Sequence, residues 1–108
     1  MTEKKTFEIQ LSTEESETVE RAYFEAFSFE QLMGTLCQSL VDEDGNPKSD
    51  KAKEMLLFYA EPCRIAQGKL AIAQRMAIAK HIPNISSFDH WDSKFNFEDE
   101  KVVVNAYE

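Results

Sequence analysis

Apolar and polar residues first alternate over Phe7-Glu8-Ile9-Gln10-Leu11, which predicts a strand buried on one side. Ser12 follows, with Glu15 three residues on. This is capping-box spacing, in which the two side chains satisfy each other's backbone N–H groups at a helix start. The helix is expected from about Thr13 to Phe27, with Val19, Tyr23, Ala26 and Phe27 on one face. Glu14, Glu15 and Glu17 sit at the positive end of its dipole.

Ser28 and Gln31 repeat the capping spacing and predict a second, short helix to about Leu40. Leu32, Met33, Leu36 and Leu40 are its expected buried stripe, and Gly34 weakens it. Asp42-Glu43-Asp44-Gly45-Asn46-Pro47 reads as a loop on turn chemistry alone. From Ser49 or Asp50 a helical pattern runs to about Ile82, and Pro62 is expected either to kink it or to open a further helix. Beyond Pro62, Ala66, Ala71, Ala73, Ala77 and Ala79 would let a neighbouring helix approach closely, and Pro83-Asn84 ends the run.

Phe88, Trp91 and Phe95 are spaced three and four apart, as on one side of a short helix. Phe95-Asn96-Phe97 and Val102-Val103-Val104 then read as strands around the acidic turn Glu98-Asp99-Glu100. The expected fold class is therefore α+β and mainly helical. Three to four helices would carry a small antiparallel sheet formed by the N-terminal strand and a C-terminal hairpin. Residues 1–108 are expected to form a single domain, with 1–5 disordered.

Composition supports a packed core: 43% of the 108 residues are hydrophobic and 11% aromatic, which argues against disorder of the whole chain. Charge narrows the partners. Twenty acids against 12 bases give a net charge of −8, which repels a phosphate backbone, so direct nucleic-acid binding is not expected and a basic protein partner is favoured. The acidity is segmented: residues 1–61 carry −8, residues 62–82 carry +4 with no acid at all, and residues 83–108 carry −4. Arg64, Lys69, Arg75 and Lys80 are thus expected to pair with carboxylates of the first helix or the tail. Each exposed pair contributes only about 0–1 kcal/mol.

Cys37 and Cys63 follow no metal-ligand spacing, and Met1-Thr2-Glu3-Lys4-Lys5-Thr6 contains no apolar signal region. Two free thiols in a reducing, cytoplasmic setting are expected, with one bridge between them as the alternative. The longest apolar stretch, Met55 to Ile82, is broken by Glu61, Arg64, Lys69, Arg75 and Lys80, so no membrane span is expected.

The candidate partner-binding residues are Phe88, Trp91 and Phe95, with His90, flanked by Asp89 and Asp92. Aromatics at this spacing suit the anchors of an amphipathic helix in a partner's groove. The competing reading is that the segment caps the core. The Asp42–Asn46 loop departs from a calcium loop, with Pro47 where its glycine belongs and Lys53 where its bidentate glutamate belongs. Met76 to Ser86 resembles a helix-turn-helix locally, but the following segment would present Asp89 and Asp92 to DNA with a single Lys94. Neither His81 nor His90 has a cysteine nearby in sequence, and no glycine-rich phosphate loop or G-x-S-x-G elbow occurs. No catalytic, cofactor-binding or metal residue is therefore expected.

These readings favour a small acidic, non-catalytic interaction or assembly module. It would self-associate, as a homodimer, through the alanine-rich helix or an edge of the sheet. One alternative is an acidic inhibitor that mimics nucleic-acid charge, for which Glu14, Glu17, Glu20 and Glu25 offer a partial stripe. A second is a ligand binder or enzyme whose site brings His81 or His90 to carboxylates distant in sequence.

Overall fold

The computed structural model describes residues 3–108. In chain order these form strand β1 (Lys4–Gln10), helix α1 (Thr13–Leu40), helix α2 (Asp50–His81), a single 3-10 turn (Ile85–Ser87), strand β2 (His90–Asn96) and strand β3 (Lys101–Tyr107). The fold is α+β, with two helices among the described residues where three to four were expected. Lys4 and Lys5, within the lead expected to be disordered, face Tyr107 and Ala106 across the ladder; residues 1 and 2 lie outside the described residues.

No helix boundary falls at Ser28, and Pro62 does not open a further helix, for one reason. Within residues 22–71 the less exposed positions run through Ala22, Ala26, Phe29, Met33, Leu36 and Leu40 of α1 and through Ala52, Leu56, Tyr59, Cys63, Ala66 and Leu70 of α2, with Pro62 also half-buried beside Cys63. Both series alternate steps of three and four, the seam spacing of helices packed side by side. Ser28 lies inside the first series and Pro62 inside the second. Stopping at Ser28 would remove Phe29, Met33 and Leu36 from the seam. Pro62 takes one backbone hydrogen bond from α2, a cost of about 3 kcal/mol in a helix interior, yet Tyr59, Cys63 and Ala66 keep their register around it.

The described residues group into two compact units. One comprises the chain up to Arg21 together with Ile72–Glu108. Its sheet has the order β1-β3-β2, antiparallel throughout, so the two ends of the chain supply it as expected. The register sets Phe7 and Ile9 opposite Val104 and Val102, which in turn face Ser93 and Phe95. These side chains share the buried face of the sheet, and Val102, Val104 and Ala106 on the central strand have no solvent exposure. Leu11, Val19, Ala77, Ile78, Ile82, Ile85 and Phe88 complete the buried set of this unit. The outer face is polar: Thr6 Oγ1 donates to Asn105 Oδ1 at 2.8 Å, and Asn105 Nδ2 donates to Asp92 Oδ1 at 3.2 Å, tying all three strands.

The other unit, Ala22–Ala71, contains the two helix segments and the loop between them. Asp42 organises that loop by accepting from Asp44 N–H at 3.0 Å and Asn46 N–H at 2.9 Å. Gly45, at φ 84°, takes a left-handed conformation that disfavours other residues. Gly34, by contrast, is in an exposed helix interior where an added Cβ would meet nothing within 4 Å. Gly34→Ala is therefore expected to stabilise the protein by about 0.5–1 kcal/mol, read as a higher urea midpoint.

Candidate functional site

The aromatic candidates are distributed by strand geometry. Residues 90–96, expected as one side of a short helix, form β2, a correction with a clear cause. Trp91, Ser93 and Phe95 also fit alternation, and the register offers them Ala106, Val104 and Val102 as neighbours. Phe88 is buried beside the 3-10 turn, with its ring edge-on to Phe7 at 6.2 Å. Trp91 and Phe95 are half-buried on the inner face. His90 points to the opposite face, stacked on Tyr107 with ring centroids 4.4 Å apart. The strand puts Trp91 and Phe95 on the same face, four residues apart, and His90 on the other.

The capping box is formed as the sequence implies. Ser12 N–H donates to Glu15 Oε1 at 3.0 Å, and Glu15 N–H donates to Ser12 Oγ at 3.1 Å. Glu15 also uses its other oxygen: His81 Nε2 lies 2.9 Å from Oε2. Glu15 therefore ties the start of α1 to the last turn of α2. The Ser12 backbone N–H, then the Ser12 hydroxyl and His81, hold the Glu15 carboxyl below the usual glutamate range, although burial opposes them. A histidine does meet a carboxylate here, but both carboxylate oxygens are already engaged.

Beside this cap a cleft of about 270 Å³ lies between α1 and α2 within the sheet-bearing unit. Val19 and Ala77 contribute apolar wall, and Glu14, Thr18 and Lys80 contribute polar groups. Neither histidine lines it. Among the described residues no three His, Cys, Asp or Glu side chains are grouped as metal ligands. Cys37 and Cys63 are free thiols. Among the described residues no helix is long and apolar enough to cross a membrane.

Of the basic residues expected to pair with the first helix or the tail, Lys69 does so and Arg64 does not. Lys69 approaches Glu25 of α1 at 4.0 Å, whereas Arg64 pairs within its own helix, its Nε donating to Glu61 at 3.1 Å. Engagement of Glu15 and Glu25 interrupts the run of carboxylates along α1.

The largest feature that periodicity on its own face-by-face reading missed is apolar and exposed. Within Ala22–Ala71 only Ala26, Ala52 and Ala66 are buried apolar residues, while Tyr23, Phe24, Phe27, Leu32, Met55, Leu57, Phe58 and Ile65 are exposed. Phe58 is 69% exposed and Leu57 64%. The signal was present as an excess of large apolar residues over what one helical seam can cover.

No protein-family profile matches the sequence, and no curated protein or solved structure matches it significantly. Function must therefore be read from the geometry.

The cap yields a pH prediction. A carboxyl with a depressed folded-state pKa contributes stability above its unfolded pKa, and that contribution is lost as pH falls through the folded value. Glu15→Gln is expected to lower stability at neutral pH by about 1 kcal/mol. It should also make the loss of stability below the usual glutamate range shallower than in the parent, measured as urea midpoint against pH.

Proposed function

We propose that the protein is a non-catalytic interaction or assembly module that self-associates, using apolar side chains exposed on its helices. One observation carries this reading: the helical unit buries three alanines and leaves eight large hydrophobic residues open. Contiguous exposed apolar surface beyond a few hundred Å² marks an interaction site far more often than it marks ordinary surface. A two-helix segment with so little fully buried area gains stability when another apolar layer covers it.

Two other surfaces fit the role less well. The alanines at Ala66 and Ala77 are buried and so already used. The edge strands β1 and β2 carry Lys4, Lys5 and Glu8, and Asp92 and Lys94, and charged residues on an edge oppose pairing with another chain. In the cleft beside Glu15, the Ser12 and Glu15 side chains are engaged in the helix cap, and Glu14, Thr18 and Lys80 are the other polar groups of its lining.

Sedimentation equilibrium over a wide concentration range tests the proposal. The expected result is a mass that rises to at least that of a dimer, and that returns to the monomer value in Phe58→Glu/Ile65→Glu with helical circular dichroism retained. A monomer at every concentration would contradict it.

A further inference from the structure

We infer that strand β2 is a second contact between copies of this chain: two β2 edges pair antiparallel about Ser93 and join helix-held dimers into larger assemblies. The inference rests on the self-association proposed above and adds a separate surface, wholly within the sheet-bearing unit.

β2 ends the sheet, whose order is β1-β3-β2, and residues 90–96 make no backbone hydrogen bond outside that sheet. The inner face of β2 is also incompletely covered. Trp91, Ser93 and Phe95 are half-buried, whereas Ala106, Val104 and Val102, which face them on β3, have no exposure. One added strand would satisfy the free N–H and C=O groups of the edge and extend the covered face.

Residue order selects the occupant, its direction and its register. An antiparallel pair with its two-fold at Ser93 sets Trp91 against Phe95 and Asp92 against Lys94, each twice. Moving the axis to Asp92 or to Lys94 sets two carboxylates or two ammonium groups directly opposite, which is destabilising. The charges that oppose pairing with other strands therefore admit this strand, in this register. A two-fold perpendicular to the sheet makes the pair antiparallel and keeps both inner faces on one side. A parallel pair of the same edges needs a two-fold along the strands, which turns one inner face to the opposite side. Lys94 has no ion-pair partner among the described residues, and Asp92 accepts from Asn105 through Oδ1, which leaves Oδ2 for Lys94 of a second copy.

The other edge is protected. By alternation Lys5 shares the face of Phe7 and Ile9 on β1, and an inward-pointing charge opposes addition of a further strand. Pairing at β2 thus closes on itself as β1-β3-β2-β2-β3-β1. A strand pair of seven residues is marginal alone, so the contact acts between copies already paired through their helices, each dimer carrying two β2 edges.

Sedimentation equilibrium of the full chain, at concentrations above those that give the dimer, tests this. The parent is expected to exceed the dimer mass. Asp92→Lys and Lys94→Asp each set like charges opposite one another and should weaken the larger species roughly tenfold. An equimolar mixture of the two variants should restore it, because each then meets its complement. Asp92→Lys also loses the hydrogen bond from Asn105, and restoration on mixing separates lost pairing from lost stability. A parent that stops at the dimer, or larger species that the variants leave unchanged or that mixing does not restore, would overturn the β2 contact and leave helical self-association standing. A monomeric parent would overturn both.

Discussion

A helix pair can cover only the stripes that face each other, and everything else its sequence carries must meet water or another molecule. This constraint governs residues 22–71. Their shared seam is made of Ala26, Ala52 and Ala66 with larger residues only half-buried between them. Phe24, Phe27, Leu57, Phe58 and Ile65 lie off that seam. In the sheet-bearing unit the apolar residues that face the sheet are covered, because a sheet offers a broad face where a helix offers a stripe, while Ile72 and Met76 on its part of α2 stand open. Val102, Val104 and Ala106 have no exposure there, and Ile78 has none on the adjoining part of α2. The two units thus differ in how completely their apolar residues are satisfied, and the difference locates the surface available for binding.

The cap at Ser12 shows how little chain is needed to fix a junction. Glu15 closes the first turn of α1 through Ser12 and meets His81 at the end of α2, so one carboxylate serves a helix start and a helix finish. Because its pKa is depressed, this arrangement strengthens above the glutamate titration range and weakens in acid. It also accounts for the histidine–carboxylate pair without invoking catalysis.

Features governed by neighbours in sequence were legible: the β1 alternation, the Ser12–Glu15 box, the Asp42–Pro47 loop and the acidic turn before β3. Features decided by competition between local and distant partners were not. Ser28 and Pro62 are sound local stop signals, but each lies within a seam whose continuation outweighs one cap or one lost hydrogen bond. Trp91 and Phe95 satisfy a helical spacing and a strand alternation equally well, and only the register with Val102, Val104 and Ala106 decides between them. His90 was grouped with them by proximity in sequence, whereas strand geometry sends adjacent side chains to opposite faces. The exposed apolar residues of residues 22–71 are not separable from core residues by helical spacing alone.

Concentration-dependent hydrogen exchange tests the central claim that the exposed helical surface is completed by association. Backbone amides of α2 around Ile65 should become more protected as protein concentration rises, while those of β3, already in the middle of the sheet, should not change. Exchange along α2 that is independent of concentration would contradict the account.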